Sequence, residues 1–233
     1  MTRTAAQLER FLSSREGQRE GVPEPEVKGL LRELGLPVPA GIFIPAGDPV
    51  PSPFPLPFPL VAKVVSPAIA SKSDVGGVRI GIGDRNELAA AVANLSAIAA
   101  ADGVLVEEQA RPGVEVIVGG IVDPQFGPVV MVGLGGLFVE LFRDVAFALA
   151  PLERNAARRL VGRMKGAAVL GGYRGRAPVD GEALVSVIVT VSELIGSGII
   201  GEIDLNPVIL CPDGAMVVDA KMTVLGTSRC ACI

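Results

Sequence analysis

Apolar residues follow two patterns along the chain, helical spacing in some segments and short continuous runs in others. From Glu24 onward they recur every three or four positions until Gly35, which predicts a helix that ends there. Similar spacing predicts helices over 86–101, 155–169 and 183–195, the last with Asp180 as its N-cap. Short apolar runs predict strands at 41–44, 60–65, 78–82, 104–106, 114–118, 129–132, 208–210 and 216–218, the last two as a hairpin.

Helices and strands therefore interleave, which predicts an α/β (or α+β) fold with two lobes. We expect an N-terminal arm or loosely docked helix over 1–21, a first lobe over 22–103, a second lobe over 104–227 and a tail over 228–233. Seven prolines alternate with apolar residues over 45–59, a spacing that neither a helix nor a central strand tolerates. This part of the first lobe is predicted to be an extended surface connection.

Composition excludes several functions. The 233 residues include no histidine, which excludes histidine-based acid–base catalysis, histidine-ligated metals and a phosphohistidine on this chain. The 21 basic and 25 acidic residues leave a net charge of −4, so no nucleic-acid partner is expected. Cys211, Cys230 and Cys232 lack the spacing of a metal site and are interpreted as reduced cytosolic thiols.

The mean hydropathy of +0.50 is high enough that a membrane span has to be considered. The longest stretch without a charged residue, 124–139, has 16 residues and contains prolines and glycines. A spanning helix needs about 20 predominantly apolar residues. The N-terminal segment carries charges throughout and lacks the apolar centre of a signal peptide. We therefore expect a soluble, cytoplasmic protein with no membrane contact.

Several polar residues stand among the predicted strands. Lys63 lies in an apolar run and is either directed at an anion or an outward lysine on a half-exposed strand. Gly76 and Gly77 precede a strand and either let backbone N–H groups approach a phosphate or form an ordinary turn. Glu115, within another apolar run, either holds ribose hydroxyls or is a salt-bridged or outward residue.

A last polar group lies near the C-terminal end. Glu202, Asp204 and Asn206 alternate with apolar residues and so share one face of an extended strand, and Asp219 lies one hairpin later. Oxygen ligands without nitrogen or sulfur suit Mg²⁺, which takes the rest of its shell from water and substrate phosphates. The alternative is a solvated acidic strand, which the interleaved apolar residues disfavour.

A strand lysine, a glycine-rich loop, strand-end carboxylates and a late Asp/Asn pair, in this order, resemble an ATP-grasp nucleotide site. Colinear motifs sharpen the resemblance: 30–39 (LLRELGLPVP), 63–67 (KVVSP), 72–78 (KSDVGGV), 113–119 (GVEVIVG), 123–128 (DPQFGP), 133–140 (GLGGLFVE), 172–175 (GYRG) and 204–207 (DLNP). From about residue 22 to residue 225 the chain resembles the β subunit of ADP-forming acetyl-CoA synthetase, an NDP-forming acyl-CoA synthetase.

The resemblance implies a two-lobed ATP-grasp fold and an acid–CoA ligase that converts acyl-CoA, ADP and phosphate into acid, ATP and CoA. It implies ATP or ADP with Mg²⁺ as cofactors and a CoA-binding α subunit that carries the phosphohistidine, in an α2β2 assembly. It assigns Lys63 to the nucleotide phosphates and Gly76 and Gly77 to the loop that covers them. Glu107 and Glu108 would lie on the adenine-linking strand, and Glu115 would contact the ribose. Asn206, Asp219 and, more weakly, Asp204 would bind Mg²⁺.

Two features depart from the family: the proline-rich stretch stands where a helix would be expected between the first two strands, and one position of the glycine-rich loop differs. A histidine, the proposed second phosphoryl relay, normally precedes the Lys-Ser-Asp-Val-Gly-Gly segment, where this chain has Ser71. Serine has no ring nitrogen to receive the group. Either Ser71 is an engineered substitution, or transfer to ADP is direct and the loop acts through Lys72, Asp74 and the glycine backbone, or activity is impaired. The alternative functions are a nucleotide-binding regulatory subunit without turnover and a different ATP-grasp ligase.

Overall fold

The structure is a computed structural model that describes residues 3–13, 21–69, 71–136, 143–172, 175 and 177–225. The helices are α1 (Arg3–Ser13), α2 (Glu24–Glu33), α3 (Arg85–Ser96), α4 (Arg154–Val161) and α5 (Gly181–Gly196), with a 3₁₀ turn at Ala167–Val169. The strands are β1 (Gly21–Val22), β2 (Gly41–Pro45), β3 (Leu60–Val65), β4 (Val78–Ile82), β5 (Gly103–Glu108), β6 (Val114–Asp123), β7 (Gly127–Leu134), β8 (Val145–Leu149), β9 (Ile200–Cys211), β10 (Gly214–Val217) and β11 (Ala220–Val224). The chain divides into a smaller unit, Pro39–Arg111, and a larger unit, Met1–Val38 with Pro112–Ile233.

The smaller unit is built on an antiparallel four-stranded sheet in the order β2-β5-β3-β4. The bounds predicted for the strands 60–65 and 78–82 are confirmed. The Asp84 carboxylate caps α3 by accepting hydrogen bonds from the N–H groups of Asn86 and Glu87. α3 covers one face of the sheet, and Leu60 and Leu88 lie in the core between them. All six residues of β3 are buried, so the face away from this core is also covered.

The proline-rich segment contains neither helix nor strand between β2 and β3, as predicted. It nevertheless contributes to packing, because Val50, Phe54 and Leu56 lie against the core of the smaller unit. Proline fixes the backbone in an extended form, and the apolar residues between the prolines cover part of the core.

The larger unit is built on a seven-stranded antiparallel sheet in the order β1-β11-β9-β6-β7-β8, with β10 paired to β9. The predicted hairpin of β9 and β10 is confirmed. α5 packs on β6, β7 and β9, and its buried residues, among them Leu184, Ile188 and Val191, recur at helical spacing. The predicted N-cap is also confirmed, since the Asp180 carboxylate accepts a hydrogen bond from the Ala183 N–H.

The start of the chain differs from the expected arm. α1 packs firmly against the larger unit, and its Leu8 is 1% exposed. The Gln7 side chain donates a hydrogen bond to the Glu33 carbonyl of α2 over 2.5 Å. The Thr4 hydroxyl donates to the Glu193 carboxylate of α5. The helix is amphipathic, so its few buried residues hold it in place despite its charged composition.

Two predicted helices are shorter in the structure, and two strands were not predicted. The helix predicted over 155–169 ends at Val161 and is followed by the short 3₁₀ turn. β8 and β11 were not expected from the sequence: β8 is a short continuous apolar run whose strand signal was overlooked, whereas β11 mixes polar and apolar residues and lacks such a run. The helix predicted over 86–101 ends at Ser96.

The boundary between the units also differs from the predicted lobes 22–103 and 104–227. α2 packs against β11 and so belongs to the larger unit. β5 lies between β2 and β3 and so belongs to the smaller unit. Strand pairing between distant segments decides both memberships, and sequence order does not reveal it. The predicted tail 228–233, with Cys230 and Cys232, lies outside the described residues, as do parts of the 133–140 and 172–175 motifs. No helix in the described part of the chain is long and apolar enough to cross a membrane.

Candidate functional site

Lys63 forms a buried ion pair in the smaller unit. Its Nζ lies 2.8 Å from the Glu107 Oε2, and the two side chains are only 4% and 2% exposed. The pair joins β3 to β5, in which Leu105 is the register partner of Lys63. An outward lysine on a half-exposed strand is therefore excluded. The Glu107 carboxylate balances the charge of the buried Lys63 ammonium.

The glycine-rich loop ends beside this pair, where Val78 is the register partner of Lys63. The Val64 N–H donates to the Gly77 carbonyl over 2.8 Å, which fixes the end of the loop to β3. A side chain at Gly77 would lie 2.5 Å from the Val64 Cγ1 and 2.9 Å from the Lys72 carbonyl oxygen. Gly76 has φ +64°, a backbone conformation that favours glycine. Close contacts thus require glycine at position 77, and the backbone conformation favours it at position 76.

The N–H groups of these glycines are used within the loop. The Gly76 N–H donates to the Ser73 carbonyl over 3.1 Å, and the Gly77 N–H donates to the Lys72 carbonyl over 2.7 Å. The sequence suggested that these N–H groups approach a phosphate. In the structure they would have to leave their carbonyl partners to do so.

The remaining loop candidates line the same turn. Ser71 and Lys72 are half-buried, whereas Asp74 is exposed. Glu108 is half-buried at the end of β5, and its N–H donates to the Ala40 carbonyl over 3.0 Å. The smaller unit therefore brings together Lys63, Glu107 and the base of the loop, and leaves the tip of the loop open to solvent.

Glu115 lies at the start of β6 in the larger unit, and its side chain is exposed. Its backbone carbonyl accepts a 2.7 Å hydrogen bond from the Gly135 N–H. A Cβ at Gly135 would lie 2.9 Å from the Glu115 Cβ, so only glycine fits there. A Cβ at Gly136 would lie 3.4 Å from the Glu115 Oε2. The Gly-Leu-Gly-Gly motif thus packs on Glu115 and leaves its carboxylate accessible to a polar ligand.

The acidic residues near the C-terminal end come together as predicted. Asp204 and Asn206 lie on β9, and Asp204 is the register partner of Lys221 on β11. The Asn206 N–H donates to the Asp219 carbonyl over 3.2 Å, which brings the segment before β11 alongside β9. Glu202 and Asn206 are exposed, and Asp204 and Asp219 are half-buried.

The surroundings of this group disfavour several ionised carboxylates at once. Burial raises the pKa of the Asp204 carboxyl. Lys221 acts against this shift, and the Asp219 and Glu202 carboxylates add to it. Lys221, an isolated cation on the unpredicted strand β11, is a further member of this candidate group.

The donors fit a divalent cation that is shared with a ligand. Asp204, Asn206 and Asp219 offer only hard oxygen atoms, and a cation would relieve the crowding of carboxylates around Asp204. In the described residues no group of three or more His, Cys, Asp or Glu side chains is arranged to hold a metal.

The Asp-Pro-Gln-Phe-Gly-Pro motif has a structural role. It forms the turn between β6 and β7, where the Asp123 carboxylate accepts hydrogen bonds of 2.8 Å from the N–H groups of Gln125 and Phe126. Gly127 completes the turn with φ +76°. The motif that carries much of the family resemblance is therefore a hairpin turn. Its described residues make none of the contacts given above for the candidate site residues.

Comparison with known proteins agrees with this geometry. The ATP-grasp domain family matches residues 13–224. The chain is 39% identical to the β subunit of acetate–CoA ligase (ADP-forming) I of Pyrococcus furiosus, over 93% of this chain and 97% of that subunit. A structure of Korarchaeum cryptofilum acetyl-coenzyme A synthetase 1, in complex with coenzyme A and Ca-AMPCP, superposes with a TM-score of 0.85 at 38% identity, over 93% of this chain and 99% of that one.

The chain therefore has the ATP-grasp fold and belongs to the ATP-grasp family. Within it, the chain belongs with the β subunits of ADP-forming acetate–CoA ligases. It spans only 30% of a longer relative, acetate–CoA ligase (ADP-forming) II of Archaeoglobus fulgidus, to which it is 40% identical over 202 residues.

Proposed function

We propose that this chain is the nucleotide-binding subunit of an ADP-forming acyl-CoA synthetase, a ligase that converts acyl-CoA, ADP and phosphate into acid, ATP and CoA. The buried Lys63–Glu107 pair at the base of the glycine-rich loop carries the proposal. Membership among the acetate–CoA ligase β subunits supports it. Another ATP-grasp ligase is disfavoured because the identity extends over nearly the whole chain.

The residues have separate tasks in this proposal. Lys63 neutralises nucleotide phosphate, and the 71–77 loop, with Lys72 and Asp74, covers it. Glu107 and Glu108 lie on the strand next to the adenine, and Glu115 accepts hydrogen bonds from the ribose hydroxyls. Asp204, Asn206 and Asp219 would hold Mg²⁺, which supplies charge neutralisation at the phosphates. Positioning and neutralisation are most of what phosphoryl transfer requires of a protein.

The phosphoryl donor is proposed to be a phosphohistidine on a CoA-binding α subunit, as the family resemblance implies. A structure of the Korarchaeum cryptofilum enzyme contains a phosphorylated phosphohistidine segment, and this chain has no histidine of its own. The N–P bond of the donor breaks, and an oxygen of the ADP β-phosphate forms the new P–O bond, so that the histidine is regenerated. We propose an α2β2 assembly in the cytoplasm, where ADP and acyl-CoA are substrates. The relatives named as β subunits support a separate α partner.

A second candidate function rests on Ser71. If a relay histidine is indispensable at this position, the chain binds nucleotide without turnover and serves as a regulatory subunit. A serine phosphate ester lacks the transfer potential of a phosphohistidine, so Ser71 cannot act as an equivalent relay.

Two measurements test the proposal. Calorimetry with ADP in the presence and absence of Mg²⁺ should show metal-dependent binding, and no binding would contradict the assignment of the site. Mixing the chain with an α subunit, acyl-CoA, phosphate and Mg²⁺–ADP should then produce ATP. Nucleotide binding without ATP formation would favour the regulatory function.

A further inference from the structure

A buried ion pair in α2 contacts the segment that carries Asp219. The Lys28 Nζ lies 2.8 Å from the Glu24 Oε1, and the side chains of Lys28 and Glu24 are 3% and 2% exposed. The same Nζ donates a 2.6 Å hydrogen bond to the Val218 carbonyl, which precedes Asp219 in the chain. An i, i+4 Glu–Lys pair is usually a solvated feature of a helix surface, so neither charge stands out in the sequence as buried.

Three further hydrogen bonds hold the short connection between β10 and β11. The Val217 N–H donates to the Pro37 carbonyl over 2.9 Å, and the Val218 N–H donates to the Pro207 carbonyl over 3.0 Å. The Asp219 carbonyl accepts from the Asn206 N–H over 3.2 Å. Lys28 adds the contact to the Val218 carbonyl, so each peptide group in this connection is fixed by a partner outside it.

Two buried charges contribute little net free energy to the stability of a helix. The desolvation of a buried ion pair offsets much of its attraction, and apolar residues of similar size often serve stability as well or better. An apolar pair at these positions would fill the space, but it would not bind the Val218 carbonyl. The contact that distinguishes Lys28 from an apolar residue is therefore the hydrogen bond beside Asp219.

We propose that Lys28 is a positioning residue for Asp219. Lys28, held by Glu24, fixes the Val218–Asp219 peptide and so keeps the Asp219 carboxylate beside Asp204 and Asn206 for the metal–nucleotide complex. This inference rests on the proposed function, because it gives Asp219 a role toward Mg²⁺. Groups that orient metal ligands typically change metal affinity by about 10–100-fold when they are lost.

The test variant removes both charges, so that neither is left buried alone. Glu24→Leu/Lys28→Met keeps the packing and eliminates the hydrogen bond to Val218. Lys28→Arg keeps a cation with N–H donors, and partial rescue is expected. Leu160→Ala is the matched control, because Leu160 is buried in the same core on α4, away from the connection between β10 and β11.

The first readout is the Kd for ADP in EDTA divided by the Kd for ADP in saturating Mg²⁺. We expect this ratio to fall about 10-fold or more in the double variant, with the Kd in EDTA unchanged within about twofold. Leu160→Ala should lower the melting temperature and leave the ratio unchanged. An unchanged ratio in the double variant would overturn the role of Lys28, whereas a wild-type chain without any Mg²⁺ effect would overturn the proposed metal site itself.

The second readout needs no nucleotide. Hydrogen exchange of the Asn206 and Val218 amides reports the two bonds that hold the segment, and we expect both to exchange faster in the double variant than in Leu160→Ala. Equal exchange in the two variants would show that Lys28 does not fix the segment, whatever the outcome with Mg²⁺.

Discussion

The Lys63 ammonium and the Glu107 carboxylate face each other across two neighbouring strands, 2.8 Å apart and almost entirely buried. This pair couples the proposed phosphate contact to the stability of the smaller unit. A lysine directed at phosphate in a dry environment needs a carboxylate when no nucleotide is bound. Removing one member leaves the other without its ion-pair partner in a buried position.

Lys63→Ala should therefore destabilise the protein as well as weaken ADP binding. Breaking a buried pair costs about 3–5 kcal/mol, which denaturant unfolding can measure. Lys63→Met/Glu107→Leu should recover most of this stability and still bind ADP weakly, because no cation remains for the phosphates. ADP affinity equal to wild type in the double variant would show that Lys63 has only a structural role.

Gly77→Ala should distort the glycine-rich loop. The added methyl group would lie 2.5 Å from the Val64 Cγ1, and overpacking of this kind costs about 1–3 kcal/mol. We expect weaker ADP binding in calorimetry together with lower stability. Gly181→Ala is the control, because a Cβ there meets nothing within 4 Å. Equal ADP affinity in the two variants would show that the loop does not take part in nucleotide binding.

Asp219→Asn tests the metal site by removing charge while keeping shape. We expect a higher Mg²⁺ concentration to be needed for half-maximal enhancement of ADP affinity. The increase should be at least about 10-fold, because loss of a group that merely orients a metal ligand already has an effect of that size. Glu153→Gln removes the same charge from an exposed position in the larger unit and should leave the Mg²⁺ titration curve unchanged. A curve for Asp219→Asn that coincides with this control would contradict the assignment.

Ser71→His tests the relay. With the α subunit, acyl-CoA, phosphate and Mg²⁺–ADP, we expect the variant to form ATP faster than wild type and to acquire acid-labile phosphate, because the imidazole supplies the missing nitrogen. Ser73→His places the same side chain on an exposed residue of the loop and should not do so. No gain in Ser71→His would mean that transfer to ADP is direct in this protein.

Glu182 makes stability depend on pH. Hydrogen bonds from Arg158 and Arg154 lower the pKa of its carboxyl from 4.5 to about 2. Because the pKa is depressed in the folded state, the carboxylate stabilises the fold above pH 4.5, and this contribution is lost as the pH falls from 4.5 toward 2. Glu182→Gln should show a smaller loss of unfolding free energy between pH 6 and pH 3 than wild type.

The control for this measurement is Glu9→Gln, an exposed carboxylate of α1. Its pH dependence should follow the wild type. Because the Glu182 cluster is exposed, 1 M salt should reduce the difference between Glu182→Gln and wild type. A pH profile of Glu182→Gln identical to wild type at low salt would show that the cluster contributes nothing to folding.

Most of the secondary structure was accessible from the sequence because the local signals are strong. Proline and glycine end α2 and exclude regular structure before β3, and the buried strands are continuous apolar runs. Asp180 could be recognised as an N-cap, since the interaction is local. β11 escaped prediction because a half-buried strand of mixed polarity has no distinct local signature, whereas β8 is an apolar run that the sequence does display.

The sequence by itself determined the order of the site residues, the family and the absence of a histidine on this chain. Only the tertiary structure decided that Lys63 pairs with Glu107, that the Gly76 and Gly77 N–H groups bond within their own loop, and that Lys28 reaches the carbonyl before Asp219. These contacts join residues that lie far apart in the sequence or depend on the exact backbone path. Local spacing records which residue types are available, whereas strand register and helix docking decide which of them meet.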